Sequence, residues 1–189
     1  MRKIILQMMM TLDGFVAGTN DEMDWIDNDP VMGEAHFALA ANADAAIIGH
    51  NVYQGMAQFW PEAVANPDAP NNEAAFGDLM NAMHKIVVST KAEDLTWTNC
   101  EQLLVTNDKD LVTQIGALKT PANGYLLLYG GVRTAQTLVD RGLVDEYRLD
   151  VCPNALGAGK PLFLKRTNLK FVSAITYESG AMNVTYKPV

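Results

Sequence analysis

Short apolar runs alternate along the chain with longer segments whose apolar residues recur at helical spacing. An apolar run of about four to eight residues between turn-forming residues predicts a buried strand, whereas apolar residues at i, i+3 and i+4 predict an amphipathic helix. The apolar runs predict strands at residues 3–10, 45–48, 85–88, 102–105 and 124–129. The helical spacings predict helices at residues 32–41, 52–59, 73–83, 109–118 and 134–139.

Two segments between these elements lack a regular pattern. Residues 11–24 contain Gly and Asp in place of an apolar repeat and predict a loop. Residues 61–72 combine three prolines with Asn and Asp, which predicts a second loop. Because proline cannot donate the backbone hydrogen bond that a helix interior requires, we predict that Trp60 and Pro61 end the preceding helix.

The last third of the chain has a different pattern. Residues 144–151 alternate between apolar and polar and predict a strand, and residues 169–177 and 182–187 predict two strands joined by a hairpin turn. The order of elements predicts an α/β fold, with a mostly parallel sheet, helices on both faces and a C-terminal antiparallel hairpin. A length of 189 residues fits one domain spanning residues 1–189.

Composition and charge exclude several classes of function. Hydrophobic residues make up 49% of the chain, which supports a packed core, and the formal net charge is −8. An acidic chain is poorly suited to nucleic acid or to an anionic membrane, because both are bound through clustered Lys and Arg. The spacing of Cys100 and Cys152 predicts neither a disulfide scaffold nor a zinc site. No apolar run is long enough to span a bilayer, so we expect a cytoplasmic protein.

Candidate chemistry lies at the predicted strand ends, because open α/β sheets bind ligands beyond the carboxyl ends of their strands. A buried strand runs into Tyr129-Gly130-Gly131 and then a helix start. Glycine lets the backbone approach an anion, and the helix N-terminus presents free N–H groups, so this turn suits a pyrophosphate. It is not a G-x-G-x-x-G sequence, and a tight turn without a ligand is the alternative.

Three further strand ends carry comparable features. Gly49-His50-Asn51 joins a strand to a helix, and the alternative is an ordinary helix start. Ser89, Thr90 and Lys91 follow the next strand and could bind a ribose or phosphate, or form a solvated loop. The segment 153–161 holds two glycines two residues apart, which suits close approach to a ligand or a surface turn.

Taken in order, these motifs resemble the dihydrofolate-reductase-like superfamily, and within it the reductase domain of the bifunctional riboflavin-biosynthesis deaminase-reductase. The chain lacks the H-x-E and P-C-x-x-C pattern of zinc deaminases and therefore resembles a stand-alone reductase domain. The resemblance implies a three-layer dihydrofolate-reductase-like fold. The matching motifs are Thr11-Leu12-Asp13-Gly14, Ile48-Gly49-His50-Asn51-Val52-Tyr53, Val88-Ser89-Thr90, Tyr129-Gly130-Gly131, Leu143-Val144-Asp145-Glu146-Tyr147 and the stretch from Pro153 through Leu156-Gly157-Ala158-Gly159-Lys160-Pro161-Leu162-Phe163.

The resemblance implies NADPH as the cofactor. The family usually has Arg directly after the glycine that matches Gly49, and this chain has His50 there. Arg is a permanent cation for a 2′-phosphate, whereas His is mostly neutral at about pH 7. Lys91 would have to supply that charge, NADH stays open as the cofactor, and a flavin is a further alternative. The cofactor-binding residues implied are Gly49, His50, Asn51, Ser89, Thr90, Lys91, Tyr129, Gly130, Gly131, Val132, Arg133 and Thr134.

Hydride transfer also requires a proton source and a substrate pocket. Asp13 and Glu34 are the candidate catalytic carboxylates. The alternatives are an Asx turn for Asp13, a first-turn helix charge for Glu34, and water as the proton donor. The candidate substrate-binding residues are Thr11, Trp25, Tyr53, Pro153, Gly157, Gly159 and Lys160, with no metal site.

We therefore expect a reductase that transfers a hydride from NADPH to a small heterocyclic or ribosyl substrate. Its specific form would be a 5-amino-6-(5-phosphoribosylamino)uracil reductase of riboflavin biosynthesis. The alternatives are dihydrofolate-reductase-type activity, a non-catalytic nucleotide-binding module on the same scaffold, and a structural dimerisation domain. Homodimerisation is expected in any case, because two-fold dimers are the commonest oligomers.

Overall fold

The computed structural model describes residues 1–26, 29–120 and 124–189. Within these residues the chain forms ten strands and five helices. The strands are β1 (Lys3–Thr11), β2 (Phe15–Ala17), β3 (Ala45–Gly49), β4 (Lys85–Ser89), β5 (Cys100–Leu104), β6 (Tyr125–Leu128), β7 (Glu146–Cys152), β8 (Lys160–Pro161), β9 (Leu169–Thr176) and β10 (Met182–Pro188). The helices are α1 (Pro30–Ala41), α2 (His50–Ala65), α3 (Asn71–Ala82), α4 (Asp108–Leu118) and α5 (Val132–Asp140).

Eight of the described strands form one sheet in the order β5-β4-β3-β6-β1-β7-β10-β9. The strands from β5 to β7 are parallel, while β10 runs antiparallel to β7 and β9 antiparallel to β10. The mostly parallel sheet and the C-terminal antiparallel hairpin confirm the predicted α/β architecture. All the parallel strands therefore direct their carboxyl ends to the same edge of the sheet.

Helices cover both faces of this sheet and bury two apolar clusters. On one face α1, α2 and α3 contribute Leu39, Tyr53, Phe76 and Met80. On the other face α4 and α5 contribute Leu111, Ile115, Leu138 and Val139. Apolar residues on both faces of β1, β3 and β6 explain why these strands appear in the sequence as continuous apolar runs.

Helix α2 continues through Pro61 to Ala65, so the prediction that it ends at Trp60 and Pro61 is wrong. Its last turns pack closely on α3. A Cβ atom on Gly77 would lie 2.7 Å from Val64 Cγ2, and the rings of Trp60 and Phe76 are 5.0 Å apart. This packing stabilises α2 beyond Pro61, although the proline cannot donate a backbone hydrogen bond. The predicted loop at 61–72 is correspondingly shorter.

The predicted loop at 11–24 contains strand β2, which pairs antiparallel with β8. A Cβ atom on Gly159 would lie 2.4 Å from the Ala17 carbonyl oxygen, so only glycine allows this close approach. The pairing joins the segments that follow β1 and β7, which are neighbouring strands of the main sheet. Both segments therefore lie at the carboxyl edge of the sheet.

Candidate active site

Two glycine turns pack against each other at the carboxyl ends of the neighbouring strands β3 and β6. The Gly49 amide donates a hydrogen bond to the Gly130 carbonyl at 3.1 Å. A Cβ atom on Gly131 would lie 2.8 Å from Gly49 Cα, and one on Gly49 would lie 2.8 Å from Thr134 Oγ1. Any side chain at Gly49 or Gly131 would therefore push the two turns apart.

The two turns bring the N-termini of α2 and α5 together. Gly49 is the N-cap of α2 and Gly131 is the N-cap of α5. Among the described residues, no capping side chain accepts a hydrogen bond from the first-turn N–H groups of either helix. Gly131 has a φ of +91°, a conformation that side-chain-bearing residues rarely adopt. First-turn N–H groups without a capping side chain, at two positive helix ends, are chemically suited to an anion even without Lys or Arg.

A cavity of about 380 Å³ begins beside the start of α2 and runs along one face of that helix. Its opposite wall is the segment between β4 and β5, whose Glu93 Oε1 lies 3.6 Å from His50 Nε2. The Tyr53 hydroxyl accepts hydrogen bonds from the amides of Thr96 at 2.9 Å and Trp97 at 3.2 Å, which holds that segment against α2. The lining residues are His50, Tyr53, Gln54, Ala57, Gln58, Glu93, Asp94 and Thr96.

The end of β4 is held by its own hydrogen bonds. The buried Ser89 hydroxyl donates to the Lys91 carbonyl at 2.9 Å and accepts from the Lys91 amide at 3.1 Å. Gln102 Nε2 also donates to the Lys91 carbonyl. The side chains of Thr90 and Lys91 are exposed. The Ser89 hydroxyl is therefore engaged within the loop, and Lys91 faces solvent.

Asp13 joins the loop after β1 to the loop after β7. Its carboxylate accepts hydrogen bonds from the Thr11 hydroxyl at 2.6 Å, the Gly157 amide at 2.7 Å and the Leu156 amide at 3.3 Å. The Thr11 hydroxyl, followed by these two amides, lowers the pKa of Asp13 below its ordinary value. Asp13 is therefore ionised at neutral pH.

Two further contacts join the same loops. Asn154 Nδ2 donates to the Trp25 carbonyl at 2.8 Å, and Lys160 Nζ lies 2.5 Å from Asp21 Oδ1. Gly157 has a φ of +72°, which favours glycine at this turn. Thr11, Trp25, Gly157, Gly159 and Lys160 thus share one pair of joined loops with Asp13, and Pro153 is in the second of them.

Several predicted residues lie elsewhere. The structure places Tyr53 in the cavity beside α2 and not in the loops that hold Trp25. Glu34 is exposed on α1, and Arg133 is exposed on α5, where it follows the second glycine turn. Asn51 is exposed in the first turn of α2.

Two further predicted residues flank the Gly130-Gly131 turn. Val132 follows this turn and begins α5, whereas Tyr129 precedes it and packs its ring 6.1 Å from that of Phe76.

A buried polar cluster beneath α1 was not predicted from the sequence. Asp150 Oδ2 lies 2.7 Å from His36 Nε2 and accepts from Gln7 Nε2 at 2.9 Å, while Asn183 Nδ2 donates to Asp150 Oδ1 at 2.8 Å. The nearby Tyr177 hydroxyl is buried without a hydrogen-bond partner among the described residues. It lines a second cavity of about 310 Å³. The available signal was a polar residue inside each of two buried strands, Gln7 in β1 and Asp150 in β7.

Metal ligation and membrane spanning are two further properties that the described residues bear on. No group of three or more His, Cys, Asp or Glu side chains in residues 1–26, 29–120 and 124–189 is placed to hold a metal ion. Among the helices of the same ranges, none is both long and apolar enough to cross a membrane.

The fold and the paired glycine turns define an α/β protein with the reductase-like fold of riboflavin-biosynthesis enzymes. The family model of the RibD C-terminal domain matches residues 2–182. The chain therefore belongs to the RibD C-terminal domain family, which is reductase-like.

Individual relatives agree with this membership. The uncharacterized protein YyaP of Bacillus subtilis (strain 168) is 33% identical over 188 residues, covering 98% of this chain and 94% of that protein. A solved Thermotoga maritima diaminohydroxyphosphoribosylaminopyrimidine deaminase/5-amino-6-(5-phosphoribosylamino)uracil reductase is 14% identical with a TM-score of 0.66, covering 100% of this chain and 57% of that one. A pyrimidine reductase-like protein from Corynebacterium diphtheriae is 14% identical with a TM-score of 0.62, covering 100% and 92%. At these identities the two solved structures establish the fold.

Proposed function

We propose that this chain is an NAD(P)H-dependent reductase that transfers a hydride to a small heterocyclic or ribosyl substrate. The observation that carries the proposal is the contact between the Gly49 turn and the Gly130-Gly131 turn. It places two helix N-termini at one point of the sheet edge, where a pyrophosphate would find backbone N–H donors on both sides. An acidic chain can hold a dinucleotide in this way without side-chain cations.

The residues at the glycine turns fit the pyrophosphate of a dinucleotide. The two glycines let the turns touch, with Thr134 Oγ1 beside them, and no side chain caps the first-turn N–H groups of α2 or α5 among the described residues. Gly49, Gly131 and the first-turn amides of α2 and α5 would hold the phosphates. When bound, the reduced nicotinamide supplies a hydride.

The joined loops after β1 and β7 form the proposed substrate side. Asp13 already accepts three hydrogen bonds, and a carboxylate has about four acceptor positions, so one on Oδ2 remains for an N–H group of a substrate. Because its pKa is lowered, Asp13 is a poor proton donor at neutral pH. We therefore assign Asp13 to binding and orientation, and water to delivery of the proton that balances the hydride.

A phosphorylated ribosylaminopyrimidine is the substrate class that we propose first. Family membership supports it, as does the name of the Thermotoga maritima protein that shares the fold. Such a base carries N–H groups suited to the remaining acceptor of Asp13. Lys160 is a cation on the adjoining loop and forms an ion pair with the exposed Asp21. A substrate phosphate could replace Asp21 as the partner of Lys160.

The test separates binding from turnover. Calorimetry with NADPH and NADH measures binding, and loss of the reduced-nicotinamide absorbance measures turnover with 5-amino-6-(5-phosphoribosylamino)uracil and with pyrimidine, pterin and carbonyl compounds. Binding together with turnover of a pyrimidine would support the proposal. Binding without turnover of any compound would instead favour a non-catalytic nucleotide-binding module, and absence of binding would reject both.

We also propose that the chain forms a homodimer through β9. This strand is the outer edge of the sheet and exposes Phe171, Val172 and Ile175. An exposed apolar edge strand presents unpaired backbone groups that a second copy can pair. Light scattering should give twice the chain mass for the native protein. The control variant Leu164→Lys adds one positive charge outside β9 and should also give twice the chain mass. Ile175→Lys should give the mass of one chain, and a native protein of single-chain mass would refute the dimer.

A further inference from the structure

We infer that the site selects a nicotinamide dinucleotide whose adenosine ribose carries a free 2′-hydroxyl, and that Glu93 is the residue that excludes a 2′-phosphate. The inference rests on the proposed function, since it concerns the adenosine half of the same cofactor. It is carried by the cavity between α2 and the segment after β4, where Glu93 faces His50.

The position of the cavity assigns it to the adenosine end. His50 directly follows Gly49, so the mouth of the cavity adjoins the paired glycine turns. The proposed substrate loops follow β1 and β7, and the order β4-β3-β6-β1-β7 puts the β4 strand end on the other side of the glycine turns. A dinucleotide with its nicotinamide at the substrate loops would therefore extend its adenosine ribose toward His50 and the β4 strand end. The volume of about 380 Å³ is within the range of small-ligand pockets.

The charge of the lining disfavours a phosphate. Glu93 and Asp94 both line the cavity, and neither Lys nor Arg is among the described residues of its lining. A phosphate monoester carries a charge of about −1.5 to −2 near neutral pH, and like charges brought together oppose binding strongly. His50 Nε2 faces the Glu93 carboxylate at 3.6 Å, so a phosphate would have to approach Glu93 in order to reach His50.

Lys91 is a cation on the same strand-end loop, and its position does not make it a phosphate ligand. Its backbone is fixed by Ser89 and Gln102, while its side chain is exposed and is not among the lining residues. A solvated cation outside the cavity is screened by salt. The Glu93 carboxylate, which is only about one-quarter exposed in the cavity wall, is screened less than Lys91 and therefore outweighs it.

The same carboxylate favours a ribose without the phosphate. In Rossmann-type sites that prefer NAD, an Asp or Glu accepts a hydrogen bond from the ribose 2′-hydroxyl, and Glu93 offers the same chemistry here. Glu93 is about one-quarter exposed, so its oxygens are reachable from the cavity. Glu93 is thus a specificity-determining residue that attracts one cofactor and repels the other.

The experiment is isothermal calorimetry of the whole chain with NADH and NADPH, and with 5′-AMP and adenosine 2′,5′-diphosphate as fragments. We expect NADH to bind at least about tenfold more tightly than NADPH, and 5′-AMP more tightly than the diphosphate. Glu93→Gln should weaken the binding of NADH and strengthen the binding of NADPH. The ratio of the two dissociation constants should therefore move toward one. The matched control is Glu62→Gln in the last turn of α2, which removes the same charge outside the cavity and should leave the ratio unchanged.

The outcomes separate this inference from the proposed function. Equal or tighter binding of NADPH by the native chain would overturn the inference and leave the reductase proposal standing. An unchanged ratio in Glu93→Gln, or an equal change in Glu62→Gln, would remove Glu93 as the selecting residue. If neither dinucleotide binds, both the inference and the proposed function fail.

Discussion

The Gly49 amide donates a hydrogen bond to the Gly130 carbonyl, and this contact joins two strand-to-helix turns that lie 81 residues apart in the chain. Because β3 and β6 are neighbours in the sheet, the two helix starts that follow them come together. Neither turn alone distinguishes a ligand site from an ordinary helix start. Their contact brings two helix N-termini together, which is the basis of the proposed pyrophosphate site, and it explains why both turns carry glycine.

Gly131→Ala should abolish dinucleotide binding. The new Cβ atom would lie 2.8 Å from Gly49 Cα, on a backbone whose φ of +91° already disfavours a side chain. The two turns would have to separate, at a stability cost of about 2 kcal/mol. Calorimetric titration with NADH and NADPH, together with thermal unfolding, measures both effects.

Gly116→Ala is the matched control, because a Cβ atom there meets nothing within 4 Å on helix α4. It should stabilise the protein by about 0.5–1 kcal/mol, since alanine favours a helix interior over glycine. Dinucleotide affinity should not change. Retained binding in Gly131→Ala would show that the glycine turns do not hold the ligand.

Asp13→Asn should release the loop after β7. An amide has one acceptor oxygen, so Asn cannot accept from Thr11, Leu156 and Gly157 as the carboxylate does. Amide hydrogen exchange at Gly157 should accelerate, and the KM for substrate should rise more than kcat falls. Asp68→Asn, on the exposed α2–α3 connection, should change neither.

The Asp13 contact should also depend on pH in a defined direction. Because the pKa is lowered from an ordinary value of 3.8, the carboxylate contact is fully formed above that value and is lost as the pH falls through the lowered pKa. Protection of Gly157 should therefore be level from about pH 5 upward and decline only in acid. A transition near neutral pH would contradict this assignment.

His36→Ala should destabilise the fold by about 2–3 kcal/mol, because it removes a hydrogen-bond partner from the fully buried Asp150 carboxyl group. Chemical denaturation measures the loss. The control is His84→Ala, whose contact with Glu101 is between exposed side chains and should cost less than about 0.5 kcal/mol. Equal losses in the two variants would show that the cluster beneath α1 adds no stability.

Tyr177→Phe should raise stability by about 1 kcal/mol, because the buried hydroxyl has no partner among the described residues. Burial, followed by Asp150 and Asp29, raises the pKa of Tyr177 from 10.0 to about 12. Because the pKa is raised in the folded state, the folded protein favours the neutral form of Tyr177. The stability associated with this neutral form is fully present below pH 10 and is lost as the pH rises toward 12. The variant should lose less stability over that interval, whereas a lower melting temperature would show that the hydroxyl is bonded in solution.

The sequence determined the fold class because hydrophobic periodicity is a local property. Continuous apolar runs predicted the buried parallel strands, and helical spacing predicted helices such as α4 within one residue at its start. The continuation of α2 through Pro61 could not be predicted, because contacts with α3 stabilise it. Strand β2 is too short to show a pattern, and its partner β8 is far away in the chain.

For the candidate site, the sequence supplied the residues and the tertiary structure decided their groupings. Glycines after strands mark places where a backbone can approach a ligand, and this local signal identified Gly49 and Gly131. Which turns meet depends on strand order, because β6 inserts between β3 and β1. The pairing of Glu93 with His50 and of Asp150 with His36 follows from the same packing of distant segments. A sequence determines which groups it contains, whereas the distances between them, and hence their chemistry, arise only when the sheet and its helices assemble.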